Sequence, residues 1–83
     1  MFLLIYEISG KSDVHGLRMR LIYILRKHNA IQIMRSTWLI SSIEPELQTI
    51  LDECIYHGYP VLLTKWDPHY LPNLIHNKES PLI

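Results

Sequence analysis

The sequence has one cysteine, three glycines and no apolar run long enough to cross a bilayer. The single cysteine, Cys54, excludes an internal disulfide and fits a reducing compartment, so we expect a cytoplasmic location. A membrane-spanning helix needs roughly 18 consecutive apolar residues, and no run here reaches that length. The first residues contain no basic leader, so no secretory signal is predicted. We therefore expect neither a secreted disulfide scaffold nor a membrane protein.

The chain is short but rich in apolar residues. Its 83 residues are 48% hydrophobic, which predicts one folded domain rather than a disordered chain. A domain of this size is only marginally stable by itself, and association with further subunits is a common source of added stability. The composition therefore favours an oligomer.

Formal charge is zero overall but is unevenly distributed along the chain. Between residues 11 and 35, one acid, Asp13, offsets six basic residues, which leaves a balance of plus five. The basic residues are Lys11, Arg18, Arg20, Arg26, Lys27 and Arg35. Residues 36–57 have no Lys or Arg and four acids, Glu44, Glu46, Asp52 and Glu53. One surface of such a domain can bind phosphate, or its acidic side can dock onto a basic partner. Each segment by itself is also typical of an ordinary solvated helix face.

Apolar spacing and turn residues predict the order strand, helix, strand, helix, strand. The predicted elements cover about residues 2–8, 14–28, 31–41, 43–57 and 61–66. Ser12 and Asp13 are candidate N-caps, and Asn29 and Gly58 are expected to end the helices in a left-handed conformation. The stretch 31–41 exceeds a typical strand, so it is expected to bend or bulge and to serve as two consecutive strands.

This order predicts an α+β domain with the ferredoxin-like βαββαβ arrangement over residues 1–67. Residues 68–83 are predicted to be a C-terminal tail that can add an edge strand to a partner subunit. The sheet face away from the helices would be apolar, so we expect two copies to pack sheet to sheet about a two-fold axis. Trp38 and Trp66 are expected to be core or interface anchors, and we assign both to the dimer interface.

Three segments of the chain resemble a known protein family. They are LIYEISGKSD at residues 4–13, LRMRL at residues 17–21 and IMRSTWL at residues 33–39. Their order is similar to that in the small CRISPR-associated spacer-acquisition protein that partners the Cas integrase. The resemblance covers roughly residues 2–66. Virulence-associated protein D, an RNA-cleaving relative, is similar in outline.

The resemblance implies a homodimer of ferredoxin-like subunits that binds duplex DNA through basic flanks. Many members of that family are also phosphodiesterases that use Mg²⁺ or Mn²⁺, so the resemblance implies this activity as well. The family's metal-binding Asp falls on Glu7, the Ser of its second-strand motif on Ser36, and the aromatic residue of that motif on Trp38. Two departures weaken the metal site: Glu7 is longer than Asp by one methylene, and the acids of the following loop are reduced to Asp13.

The resemblance and the residues leave three functions open. The first is a homodimer that binds duplex DNA or RNA in spacer acquisition with an integrase. Its phosphate contacts would come from Lys11, Arg18, Arg20, Arg26, Lys27 and Arg35. The second is a metal-dependent endonuclease or RNA-cleaving toxin with Glu7 and Ser36 as catalytic residues and Glu7 as metal ligand. The third is a non-catalytic interaction module that seats a protein on the acidic helix or on Met19, Ile22 and Tyr23.

Overall fold

The computed structural model describes residues 1–11, 13 and 15–66. The elements are β1 (Phe2–Tyr6), α1 (Leu17–Lys27), β2 (Ile31–Met34), β3 (Thr37–Ile40), α2 (Pro45–Tyr56) and β4 (Val61–Lys65). In these ranges, no helix has the length and apolar character that a membrane span requires. The predicted tail, residues 68–83, lies outside the described residues.

The four strands form one antiparallel sheet in the order β2-β3-β1-β4. β1 is central and pairs with β3 on one side and with β4 on the other. Both helices contribute to one core against the same side of this sheet. The predicted ferredoxin-like α+β fold is therefore confirmed.

The long extended stretch divides into two strands, as expected. β2 and β3 form a hairpin through a tight turn at Arg35 and Ser36, and the register shifts between Gln32 and Met34. No glycine occupies this turn, which is why the sequence does not mark its position. The irregularity places Met34 opposite Thr37, and β2 ends at Met34, where the turn begins.

The core lies between the helices and one face of the sheet. Register places Leu4 opposite Trp38 at its centre, and both side chains are almost fully buried. The Trp38 indole Nε1 donates a hydrogen bond to the Tyr6 hydroxyl at 3.2 Å, so both polar groups are paired inside the core. The assignment of Trp38 to a dimer interface is therefore wrong, because the side chain faces the helices and is 2% exposed. Residues 37–40 are all buried, so β3 has no alternation of buried and exposed positions. A period of two could therefore not assign Trp38 to one face of the sheet.

The helix ends follow local chemistry that the sequence largely indicates. The Asp13 carboxylate accepts hydrogen bonds from the backbone N–H groups of Leu17 at 2.7 Å and Arg18 at 3.0 Å. It therefore caps α1, which begins three residues later than predicted. Asn29, at φ 60°, and Gly58, at φ 82°, follow α1 and α2 in the left-handed conformation, as predicted. The bonds Ala30 N–H to Leu25 C=O and Tyr59 N–H to Cys54 C=O close these ends at 2.9 Å.

The sheet face opposite the helices carries exposed apolar side chains. Strand register places Leu3, Ile5, Ile31, Met34, Thr37, Leu39, Leu62 and Thr64 on this open face. Thr37 and Leu39 at its centre are buried, whereas Ile5, Ile31, Met34 and Leu62 around them are 37–56% exposed. The predicted apolar character of this face is confirmed. Trp66 follows β4 directly, is half-buried and donates its backbone N–H to the Met1 carbonyl, so its place in a dimer interface stays a prediction.

Candidate functional site

A cleft lies at the end of the sheet where β1 finishes. Its walls come from the end of β1 and the following turn, the start of α1 and the β2–β3 turn. The lining residues are Glu7, Ile8, Ser9, Gly10, Arg18, Arg35 and Ser36, around a volume of about 420 Å³. We call this the sheet-end cleft. It brings together both predicted catalytic residues and two of the six predicted phosphate-binding residues.

Glu7 is held at the rim of this cleft by the strands on either side of β1. Its backbone N–H donates to the Pro60 carbonyl at 3.1 Å, just before β4 begins. Glu7 has the same parity as Leu3 and Ile5, so it continues the open face beyond the last strand pair. Its side chain is exposed. The carboxylate is therefore available both to the cleft and to a molecule that covers the open face.

Arg35 and Ser36 are positioned by the hairpin turn between β2 and β3. The Ser36 carbonyl accepts the Tyr6 N–H at 3.1 Å, which fixes the turn against the end of β1. The Arg35 carbonyl accepts a hydrogen bond from Gln32 Nε2 at 3.2 Å. The Arg35 side chain is exposed and Ser36 is half-buried. The turn thus presents a cation and a hydroxyl, two groups that bind phosphate oxygens.

Arg18 supplies the second cation from the first turn of α1. Cations are unfavourable near a helix N-terminus, where the macrodipole is positive. Asp13 offsets this positive end, since its carboxylate accepts the first free backbone N–H groups of the helix. Arg18 is half-buried and lines the cleft, and its Nη1 lies 4.0 Å from the Met19 sulfur.

The other predicted phosphate-binding residues do not join the cleft. Lys11 and Arg26 are exposed, but neither lines it. Arg20 and Lys27 extend toward α2, where Arg20 Nη1 lies 3.0 Å from Glu53 Oε2 and Lys27 Nζ lies 3.0 Å from Glu46 Oε1. The basic and acidic segments of the sequence are therefore not separate surfaces, because two cations of one helix pair with two acids of the other.

The pKa shifts in this region follow from those ion pairs. The hydrogen bond with His28 and then that with Lys27 lower the pKa of the Glu46 carboxyl. The hydrogen bond with Glu46 raises the pKa of the Lys27 ammonium. Away from the surface, burial raises the pKa of the Cys54 thiol, and the carboxylates of Asp13 and Glu53 act in the same direction. Cys54 is a core residue, as its place on the apolar stripe of α2 indicates.

The described residues of the sheet-end cleft do not fit a divalent metal. Among them, Glu7 contributes the one carboxylate, and the guanidinium groups of Arg18 and Arg35, which line the same cleft, oppose a cation. Asp13 is engaged with the α1 backbone. Among residues 1–11, 13 and 15–66, no group of three or more His, Cys, Asp and Glu side chains is arranged to hold a metal ion.

Two details were not predicted from sequence. One is the geometry of the predicted Asp13 cap, whose carboxylate accepts bonds from residues four and five positions later rather than two or three. The other is the pairing of α1 with α2, whose sequence signal is a spacing of seven between Arg20 and Lys27 and between Glu46 and Glu53. The predicted apolar patch on α1 is smaller than expected: Met19 and Tyr23 are 61% and 68% exposed, but Ile22 packs against the core.

Comparisons with protein-family models, with curated proteins and with solved structures found no match for this chain.

Proposed function

We propose that this domain binds the phosphate backbone of nucleic acid as a homodimer, in the manner of the CRISPR adaptation protein that its sequence resembles. The observation that carries the proposal is that Arg18, Arg35 and Ser36 line one exposed cleft. Two guanidinium groups and a hydroxyl match the charge and hydrogen-bonding needs of consecutive phosphates. Contacts of this kind position a duplex without reading its sequence. An integrase subunit is the expected protein partner.

A second copy would enlarge this surface. The open face is bordered by exposed Ile5, Ile31, Met34 and Leu62, and the cleft lies at its end through Glu7. Pairing two open faces about a two-fold axis would bury apolar side chains and set two clefts on one assembly. Two clefts with four arginines would contact a duplex at several phosphates. This arrangement gives a small domain the stability and the binding area that one copy lacks.

Substitution of both cleft arginines tests the proposal. Arg18→Gln with Arg35→Gln is expected to weaken binding of a short DNA or RNA duplex in fluorescence anisotropy. The dependence of log affinity on log salt concentration should become shallower by about 0.9 for each phosphate that the variant no longer neutralises. The matched control is Lys65→Gln, which removes an exposed cation at the opposite end of the sheet, where Lys65 pairs with Phe2. Equal affinity and salt slope in wild type and the arginine variant would refute the proposal.

A metal-dependent phosphodiesterase is the second candidate. The observation that favours it is the exposed carboxylate of Glu7, at the end of the face on which a second copy would pack. Glu7 of both subunits would then hold Mg²⁺ or Mn²⁺, with Ser36 beside a phosphate oxygen. Among the described residues of one copy, the cleft offers a single carboxylate, which makes this candidate weaker than binding alone.

Cleavage assays distinguish the two candidates. If the protein binds without cutting, wild type and Glu7→Gln will both leave a duplex intact in Mg²⁺ or Mn²⁺, and Glu7→Gln will bind it at least as tightly as wild type, because a negative charge has left the cleft. If wild type cuts the duplex and Glu7→Gln binds it without cutting, the protein is a metal-dependent phosphodiesterase. Ser36→Ala is the second variant, because a phosphate ligand should affect binding as well as any cleavage.

A further inference from the structure

Two carboxylates of α2 neutralise two cations of α1 across the helical layer. Arg20 pairs with Glu53 and Lys27 with Glu46, each at 3.0 Å, and His28 Nε2 also lies 2.8 Å from Glu46 Oε1. The cations are seven residues apart on α1, and their partners are seven residues apart in the reverse order on α2. The helices therefore run antiparallel with two ion pairs about two turns apart. We call these the α1–α2 ion pairs.

The α1–α2 ion pairs lie at the surface. The side chains of Arg20 and Glu53 are 55% and 41% exposed, and those of Lys27 and Glu46 are 51% and 42% exposed. Exposed pairs of this kind contribute little to folding stability and are screened by salt. Their larger effect is on the surface field, because each carboxylate cancels a cation that a polyanion would otherwise meet.

Helix geometry sends neighbouring cations of α1 to different surfaces. Arg18 and Arg20 are two residues apart, so their side chains leave the helix on nearly opposite sides. Arg18 lines the sheet-end cleft, whereas Arg20 reaches α2 and pairs with Glu53 there. A polyanion that approaches α1 therefore meets Arg18 from the cleft and meets Arg20 only beside a carboxylate.

We propose that Glu46 and Glu53 mask Arg20 and Lys27 from nucleic-acid phosphates, so that binding is confined to the sheet-end cleft. The α1–α2 ion pairs act as an intramolecular competitor: a phosphate can engage either cation only after displacing a carboxylate. This inference rests on the proposed function, since it concerns where on the same domain the polyanion lies. The lowered pKa of the Glu46 carboxyl and the raised pKa of the Lys27 ammonium agree with a formed pair.

Removal of the two masking charges tests the inference. Glu46→Gln with Glu53→Gln is expected to tighten binding of a short duplex, by up to roughly eightfold for each freed cation near 0.1 M salt. The salt slope should steepen by about 0.9 for each additional phosphate that the variant neutralises. Adding Arg20→Gln and Lys27→Gln to this variant should return affinity and slope to the wild-type values.

The matched control removes two acids of the same region that pair with no cation in the described part of the chain. Asp52 accepts a hydrogen bond from Gln48 at 2.9 Å, and Glu44 accepts one from Ser42 at 2.7 Å. Asp52→Asn with Glu44→Gln changes net charge by the same amount but frees neither Arg20 nor Lys27. Circular dichroism of both double variants checks that the helices remain folded.

The outcomes separate this inference from the proposed function. A gain in affinity of the masking variant alone supports the inference. Equal gains in both double variants, or a gain in neither, would overturn it. If Arg18→Gln with Arg35→Gln leaves binding at the wild-type level while the masking variant still gains, the cleft proposal fails, and with it the claim that masking confines binding to the cleft; only the masking of Arg20 and Lys27 by Glu53 and Glu46 is then supported. If substitution of the cleft arginines weakens binding and the masking variant shows no gain in affinity, only the masking inference fails.

Discussion

At the scale of single residues, the buried pair of Tyr6 and Trp38 is the clearest test of the core. The Tyr6 hydroxyl accepts the indole N–H at 3.2 Å, and both side chains are 2% exposed. Tyr6→Phe keeps the ring but leaves the Trp38 N–H without this acceptor, which we expect to lower the free energy of unfolding by about 1–3 kcal/mol. Chemical denaturation measures the loss.

The exposed Tyr23 provides the control for that substitution. Its side chain is 68% exposed on α1, so Tyr23→Phe should change the free energy of unfolding by no more than about 0.5 kcal/mol. Equal stability of Tyr6→Phe and wild type would show that the hydrogen bond does not stabilise the core.

Residues whose role is local could be predicted from sequence. Asn29 and Gly58 end their helices because a left-handed residue is needed there, and Glu7 is exposed because it follows the last buried strand position. The role of Trp38 could not be predicted, because β3 is apolar at nearly every position and alternation could not assign a face. Only the register with β1, which places Trp38 opposite Leu4, decides that question.

At the scale of elements, the contact between α1 and α2 should depend on pH. Because the pKa of the Glu46 carboxyl is lowered, its charge stabilises the fold fully above pH 4.5, the ordinary pKa of this group. This stabilisation is lost as the pH falls through the lowered pKa. Because the pKa of the Lys27 ammonium is raised, its charge stabilises the fold fully below pH 10.5, the ordinary pKa of this group. This stabilisation is lost as the pH rises through the raised pKa. The difference in Tm between wild type and Glu46→Gln should therefore be largest between these limits.

Thermal denaturation across that range checks the expectation. The Tm difference should shrink toward zero at both the acidic and the alkaline end, because the ion pair is absent from both proteins there. A difference that stays constant from acid to alkali would mean that Glu46 acts through packing or helix propensity rather than through its charge.

The elements themselves were well predicted, but the ion pairs between the two helices were not. Apolar spacing located α1 and α2, and the length of residues 31–41 indicated two strands. The ion pairs between the helices depend on the axial offset of two antiparallel neighbours, which packing on the sheet decides. For the same reason, sequence could name Glu7, Arg18, Arg35 and Ser36 as candidates, but only the fold shows that they share a cleft.

At the scale of the whole molecule, the proposed dimer depends on what covers the open face. Ile5, Ile31, Met34 and Leu62 are exposed together on one side of a small sheet. Leaving apolar area in water is unfavourable by roughly 25 cal/mol for each Å² that a partner could bury. A second copy offers the same apolar surface about a two-fold axis, and it also adds a second cleft to the assembly.

Sedimentation velocity on wild type, Leu62→Glu and Tyr56→Glu tests this claim most directly. Leu62 is 56% exposed on the open face, whereas Tyr56 is 84% exposed at the end of α2, so each variant places a new charge on a different surface. We predict that wild type and Tyr56→Glu sediment as dimers and that Leu62→Glu sediments as a folded single subunit. A wild-type protein that sediments as one subunit, or a Leu62→Glu variant that remains a dimer, would contradict packing through the open face.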